Sequence, residues 1–105
     1  MRRAVVVIAI LFSMQSAISA GHYQSGSIKN ITATTAGLMV MMDTGMPSNC
    51  EGSPHGWMLI EQKNTTMISV VLAAWASQNR SGTIYTSGRS GGSRYCLVTQ
   101  FDPAN

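Results

Sequence analysis

Few residues of this 105-residue chain have the types and spacings that covalent chemistry requires. The four acidic residues are scattered, and no two lie at a spacing that one local element would bring together for acid–base catalysis. No G-x-S-x-G motif marks a serine nucleophile, and the glycine-rich stretch 88–92 joins two predicted strands instead of opening a helix. The two histidines and two cysteines have no recognised metal-ligand spacing. The sequence therefore predicts a protein that is not an enzyme, with no metal and no cofactor.

The two cysteines, Cys50 and Cys96, are predicted to form a disulfide if the chain is exported, because exported chains meet an oxidising compartment. A redox-active pair would be expected at C-x-x-C spacing. The bond would close a loop of about 47 residues, which the chain-entropy relation values at about 4 kcal/mol.

Aromatic residues are the first candidates for ligand contact. Trp57 follows a Gly- and Pro-rich loop at the start of a predicted strand, where a half-exposed indole ring can stack on the C–H face of a sugar. The alternative is that Trp57 covers the core. Tyr85 and Tyr95 carry amphipathic hydroxyl groups of the kind that binding surfaces use.

The first twenty residues are typical of a secretory signal peptide. Two arginines precede the apolar run 4–12, and a stretch of small residues ends in Ile18-Ser19-Ala20. The run is shorter than the roughly 20 apolar residues that span a bilayer, although an uncleaved N-terminal anchor is the alternative. We therefore predict a cleaved signal at 1–20, a single domain at 21–105, and a secreted or periplasmic location.

The net charge of the chain, +3, falls to +1 once the two arginines of the signal are removed. This charge argues against nucleic acid or an anionic membrane as the partner. No later segment is long enough to span a membrane. So few charges suggest a surface that recognises something neutral or that is buried against other copies.

Hydrophobic patterning and turn residues predict strands at 27–33, 38–43, 57–62, 83–86 and 94–101, with a helix at 67–77. The polar segment 21–25 is predicted to be loose and 44–54 to be a loop. Asn79 or Gly82 is expected to end the helix in the left-handed conformation. The order strand-strand-strand-helix-strand-strand is that of a small five-stranded OB-fold-like barrel, mainly β with one helix and one disulfide.

The predicted helix is apolar nearly all round. One face carries Ile68, Val71, Leu72 and Trp75, and the remaining positions are mostly apolar as well. Such a helix must be covered on more than one side, and a second copy would supply the cover. We therefore predict self-association with Val70, Ala74 and Trp75 at the interface, the alternative being that the small alanines are simply tolerated at the surface.

Three segments resemble the B subunits of pentameric bacterial toxins, in the subtilase-cytotoxin and pertussis-like branch. They are 25–28 (SGSI), 35–37 (TAG) and 78–85 (QNRSGTIY). The resemblance implies an OB-fold, a ring of five chains with the helices lining a pore, binding of sialylated or other cell-surface glycans, and a separate catalytic A subunit. It places Ser25 where the branch has a serine that contacts sialic acid. The branch's binding tyrosine falls at Thr86, beside Tyr85. Small exported bacterial proteins of unknown role share this layout.

Two functions follow as hypotheses. The first is a secreted, non-catalytic, toxin-B-like subunit that self-assembles and recognises a cell-surface glycan or receptor through Ser25, Trp57 and Tyr85. The alternative is a monomeric periplasmic inhibitor or accessory protein that contacts its target through the loop 44–54.

Overall fold

The computed structural model describes residues 19–104, which are mainly β, with one helix and one disulfide. Of the predicted signal, only Ser19 and Ala20 lie within the described residues. The elements in chain order are β1 (Ser19–Ala20), β2 (Tyr23–Thr34), β3 (Gly37–Met42), β4 (Met58–Glu61), α1 (Thr65–Ser77), β5 (Ser81–Gly88) and β6 (Cys96–Pro103). Apart from the two-residue β1, this is the predicted order of elements.

β2 and β3 form a hairpin closed by a two-residue turn. The Thr34 hydroxyl accepts the Ala36 amide and donates to the Gly37 carbonyl, and the Gln62 amide donates to the Ala36 carbonyl, so the turn is held from both sides. Gly37 has φ 147°, and a Cβ there would collide with the Ile60 carbonyl of the neighbouring strand. A side chain is therefore excluded at this position by both backbone conformation and packing.

The prediction that residues 21–25 are loose was wrong, because β2 already begins at Tyr23. Tyr23 through Ser27 pair in antiparallel register with Tyr85 back to Ser81 on β5. This pairing joins residues that are far apart in sequence. Because many of their side chains are polar, a local hydrophobic pattern does not predict a strand there.

The strand pairings form a closed circuit. β2 pairs with β3 and β3 with β4 in antiparallel fashion, and β4 runs parallel to β6 at Met58–Cys96 and Leu59–Leu97. β6 pairs with β5, and β5 returns to β2. β1 adds only a short pairing to the start of β2.

The core is filled from every strand longer than β1. Its fully buried side chains include Val40, Met58, Ile60 and Ile84, and α1 contributes Val71. Leu72, predicted to lie on the buried helical face, is 43% exposed. Successive helical residues are turned by about 100° around the helix axis. Because the helix points Val71 directly at the core, Leu72 lies at the edge of the surface that contacts the core.

α1 ends differently from the prediction. Gln78, rather than Asn79 or Gly82, is the left-handed residue, with φ 68°. The chain then reverses so that the guanidinium of Arg80 lies 3.6 Å from the centre of the Trp75 ring, and its Nε donates to the Trp75 carbonyl. Arg80 thus satisfies a carbonyl of the last helical turn and covers the indole ring.

The predicted disulfide between Cys50 and Cys96 is confirmed, and both residues are fully buried. Cys50 ends a short 3₁₀ turn in the loop between β3 and β4, and Cys96 opens β6. The bond therefore fastens this long loop to the strand beside β4. Within residues 19–104, no helix is long and apolar enough to cross a membrane.

Candidate binding face

The outward face of β2 and β5 carries two matching sets of polar side chains. Three directly opposed pairs lie along it: Tyr23–Tyr85, Ser25–Thr83 and Ser27–Ser81. Opposed residues of an antiparallel pair share one face, and alternate residues point the other way. The intervening Gln24 and Ile84 are accordingly buried. We call Ser25, Ser27, Ser81 and Thr83 the hydroxyl ladder.

The hydroxyl ladder is held by its own hydrogen bonds. The hydroxyl oxygens of Ser25 and Thr83 are 2.8 Å apart, and those of Ser27 and Ser81 are 3.2 Å apart. Each hydroxyl offers one donor and two acceptor sites. The pairs therefore fix the side-chain rotamers, and each pair still has one hydroxyl donor as well as acceptor sites for a ligand.

A turn after β3 forms one wall beside the ladder. Asp43 Oδ1 accepts the Ser27 amide at 2.9 Å, and the Thr44 hydroxyl donates to the Ser25 carbonyl at 2.6 Å. A Cβ at Gly26 would lie 2.5 Å from Thr44 Oγ1 and 2.6 Å from Asp43 Oδ1, so glycine is what lets the turn approach β2. The turn and the ladder together enclose an open groove of about 450 Å³.

β6 extends the same face on the other side of β5. Asp102 is directly opposite Thr83, and Gln100 is directly opposite Tyr85. Both are exposed. The outward row Ser25–Thr83–Asp102 therefore ends in a carboxylate.

One end of the face is aromatic. The ring centres of Tyr23 and Tyr85 are 5.9 Å apart, and His22 lies 5.4 Å from Tyr23 and 6.3 Å from Tyr85. Both tyrosines are half-buried and His22 is exposed. A ring surface therefore adjoins the first hydroxyl pair, which is the combination that a sugar ring with one apolar face requires.

The predicted ligand residues separate into two places. Ser25 and Tyr85 lie on this face, although only Ser25 lines the groove. Trp57 does not line it: the residue precedes β4, is half-buried, and its carbonyl accepts the hydroxyl of buried Ser53. Thr86, where the resemblance places a binding tyrosine, is buried.

The predicted interface residues have three different environments. Val70 is 36% exposed, Trp75 is half-buried beneath Arg80, and Ala74 is only 8% exposed within the chain's own core. The exposed apolar residues of α1 are Val70, Leu72, Ala73 and Ala76. They lie across the solvent side of the helix, with Val70 and Leu72 turned about 200° from each other and so at its opposite edges, and we call these four residues the helix face.

Sequence reasoning missed the other residues of this face: Tyr23, Ser27, Asp43, Ser81, Thr83 and Asp102. For the residues on β2 and β5 the signal was present as mirrored patterns, Tyr-x-Ser-x-Ser at 23–27 and Ser-x-Thr-x-Tyr at 81–85. Antiparallel pairing of such segments brings like residues together. Within residues 19–104, no group of three or more His, Cys, Asp or Glu side chains is placed to hold a metal ion.

No protein-family model, no curated protein and no solved structure matches the chain.

Proposed function

We propose that the chain is an exported, non-catalytic binding subunit that recognises a glycan through the outward face of β2 and β5. The observation that carries the proposal is the pairing of the hydroxyl ladder with two adjoining tyrosine rings on one two-stranded surface. Same-side residues along a strand are spaced by about 6.8 Å, so successive hydroxyl pairs offer hydrogen bonds at intervals comparable to the size of a sugar ring.

The strand circuit supports an OB-fold-like barrel as the scaffold of this face. Five strands paired in a closed circuit, with a parallel contact between the third and the last and a helix between the third and fourth, are the arrangement expected of that fold (β1 not counted). OB-folds commonly bind oligonucleotides or oligosaccharides. The low net charge predicted for the mature chain favours the oligosaccharide.

The helix face supports self-association as part of the same proposal. α1 contains no charged residue, and Val70 and Leu72 are 36% and 43% exposed. A partner that covers this surface should itself be uncharged and apolar, which the same helix of a second copy provides.

The proposed glycan site is tested by comparing two Thr→Val variants of the exported, oxidised protein on a broad glycan array. Thr83→Val removes a hydroxyl of the ladder but keeps the β-branched shape. We expect affinity for the bound glycan to fall about tenfold, as for the loss of a hydrogen bond worth about 1.4 kcal/mol.

Thr32→Val is the matched control, because Thr32 lies on β2 opposite Met39, away from the groove. It should bind as the unchanged protein does. Absence of binding to every glycan by the unchanged protein, or equal losses in the two variants, would contradict the proposal.

A further inference from the structure

The hydroxyl ladder has a carboxylate on each side. Asp43 lies in the groove wall beside Ser27, and Asp102 is opposite Thr83 on β6. Both residues are exposed and available to a ligand. An ionised carboxylate is an acceptor only, so it can take a hydrogen bond from a hydroxyl but repels another anion.

No cation lines the groove among the described residues. Arg80 precedes Ser81 in the chain, but its guanidinium is stacked on Trp75 and its Nε donates to the Trp75 carbonyl. Lys29 follows Ser27 by two residues, but it lies at the irregularity of register between Ile28 and Asn30 and is not part of the groove. The negative charge of the two aspartates is therefore not offset within the site.

We infer that the face binds an uncharged sugar and discriminates against sialylated or sulfated forms of the same glycan. This inference rests on the proposed function and adds the class of ligand. The hydroxyl groups of an uncharged pyranose can donate to Asp43 and Asp102 and accept from the hydroxyl ladder. A carboxylate or sulfate placed there meets two like charges and no positive partner. The resemblance to toxin B subunits points to sialylated glycans, so the charges of this chain give a different expectation.

The inference is tested with matched glycans that differ only in charge. The exported, oxidised protein is presented with neutral galactoside and glucoside oligosaccharides, each printed beside sialylated and sulfated derivatives of the same core. At low ionic strength we expect the neutral member to bind at least about tenfold more tightly than its charged derivative. The difference should shrink as salt is raised, because the Debye length falls from about 30 Å at 0.01 M to about 8 Å at 0.15 M.

Three results are distinguishable. Preference for the neutral member supports the inference. Equal or tighter binding of the sialylated or sulfated member overturns it and leaves the proposed glycan function standing. Absence of binding to both members of every pair rejects the proposed function, and the inference falls with it.

Two amide substitutions test whether Asp43 and Asp102 cause the preference for the neutral glycan. The double variant Asp43→Asn, Asp102→Asn keeps side-chain shape, and the new amide oxygen can still accept the Ser27 amide. We expect the preference for the neutral member to fall at least threefold, through tighter binding of the charged member.

Glu61→Gln is the control, since it removes an equal charge on β4 at a position that does not line the groove. It should leave the preference unchanged. An unchanged preference in the double variant would overturn the role given to the two carboxylates.

Discussion

Asn49 joins the disulfide-bonded loop to β5 through both ends of its amide. Its Oδ1 accepts the Thr86 hydroxyl at 2.6 Å, and its Nδ2 donates to the Thr86 carbonyl at 3.1 Å. The backbone N–H of Asn49 also donates to the Gly21 carbonyl, and the backbone N–H of Thr86 donates to the His22 carbonyl. The half-buried Asn49 side chain thus ties the loop to the end of β5, and the backbone bonds tie both to the residues before β2, next to the aromatic end of the candidate binding face.

Replacing Asn49 by alanine should therefore destabilise the protein. Thr86 is only 4% exposed, and the change removes the close partner of its hydroxyl, leaving only the His22 carbonyl at 3.5 Å. A buried polar group that loses its partner costs about 1–3 kcal/mol, and we expect that loss in the free energy of unfolding measured with urea. Gln62→Ala, at an exposed position after β4, should change the same quantity by less than about 0.5 kcal/mol. Similar values for the two variants would show that the Asn49–Thr86 pair adds no stability.

The secondary-structure elements show which parts of the fold can be predicted from the sequence. Local hydrophobic patterns and turn residues were sufficient for the order of the longer elements, and the even cysteine count together with the expected export was sufficient for the disulfide. The first residues of β2 were not predictable in this way, because their partners on β5 lie far away in sequence. The same limit applies to the candidate site: Ser25 and Tyr85 were selected one by one, whereas the ladder exists only through the register of two distant strands.

The end of α1 was mispredicted for a different reason. Propensity favours glycine or asparagine in the left-handed conformation, and the sequence offers both within four residues. The chain instead places Gln78 there, which brings Arg80 onto Trp75. The earlier stop therefore goes with a local contact, between a residue of the last helical turn and one just beyond the helix, that propensity alone does not include.

Gln78→Gly should stabilise the protein. A non-glycine residue in the left-handed region costs about 1–2 kcal/mol, part of which is offset by the greater freedom of glycine in the unfolded chain. We expect the free energy of unfolding to rise by about 0.5–1 kcal/mol. Ser69→Gly, at an exposed position in the middle of the same helix, should lower it by about 0.5 kcal/mol. The opposite signs of the two effects are the test, and a loss of stability in Gln78→Gly would contradict the strain assigned to this residue.

The whole domain presents two chemically different surfaces. The outward face of β2, β5 and β6 is polar and contains the hydroxyl ladder with its flanking carboxylates. The helix face is apolar and uncharged. In an assembly that buries the helix face between copies, the polar face can stay open to a ligand on every copy. Several weak glycan contacts would then act together, which raises the overall avidity without any new contact.

Self-association is tested by the native mass of the oxidised protein recovered after export. We expect an oligomer, with a mass of five chains if the assembly is the ring that the toxin resemblance implies. Leu72→Glu should shift the protein to single chains, because each copy would bury an unpaired carboxylate at the interface. Thr35→Glu adds the same charge at an exposed turn between β2 and β3 and should leave the mass unchanged. A single chain for the unchanged protein would contradict self-association through α1. Val70 and Leu72 would then be exposed to solvent in a monomer. The inhibitor hypothesis, in which the loop 44–54 contacts the target, would take precedence.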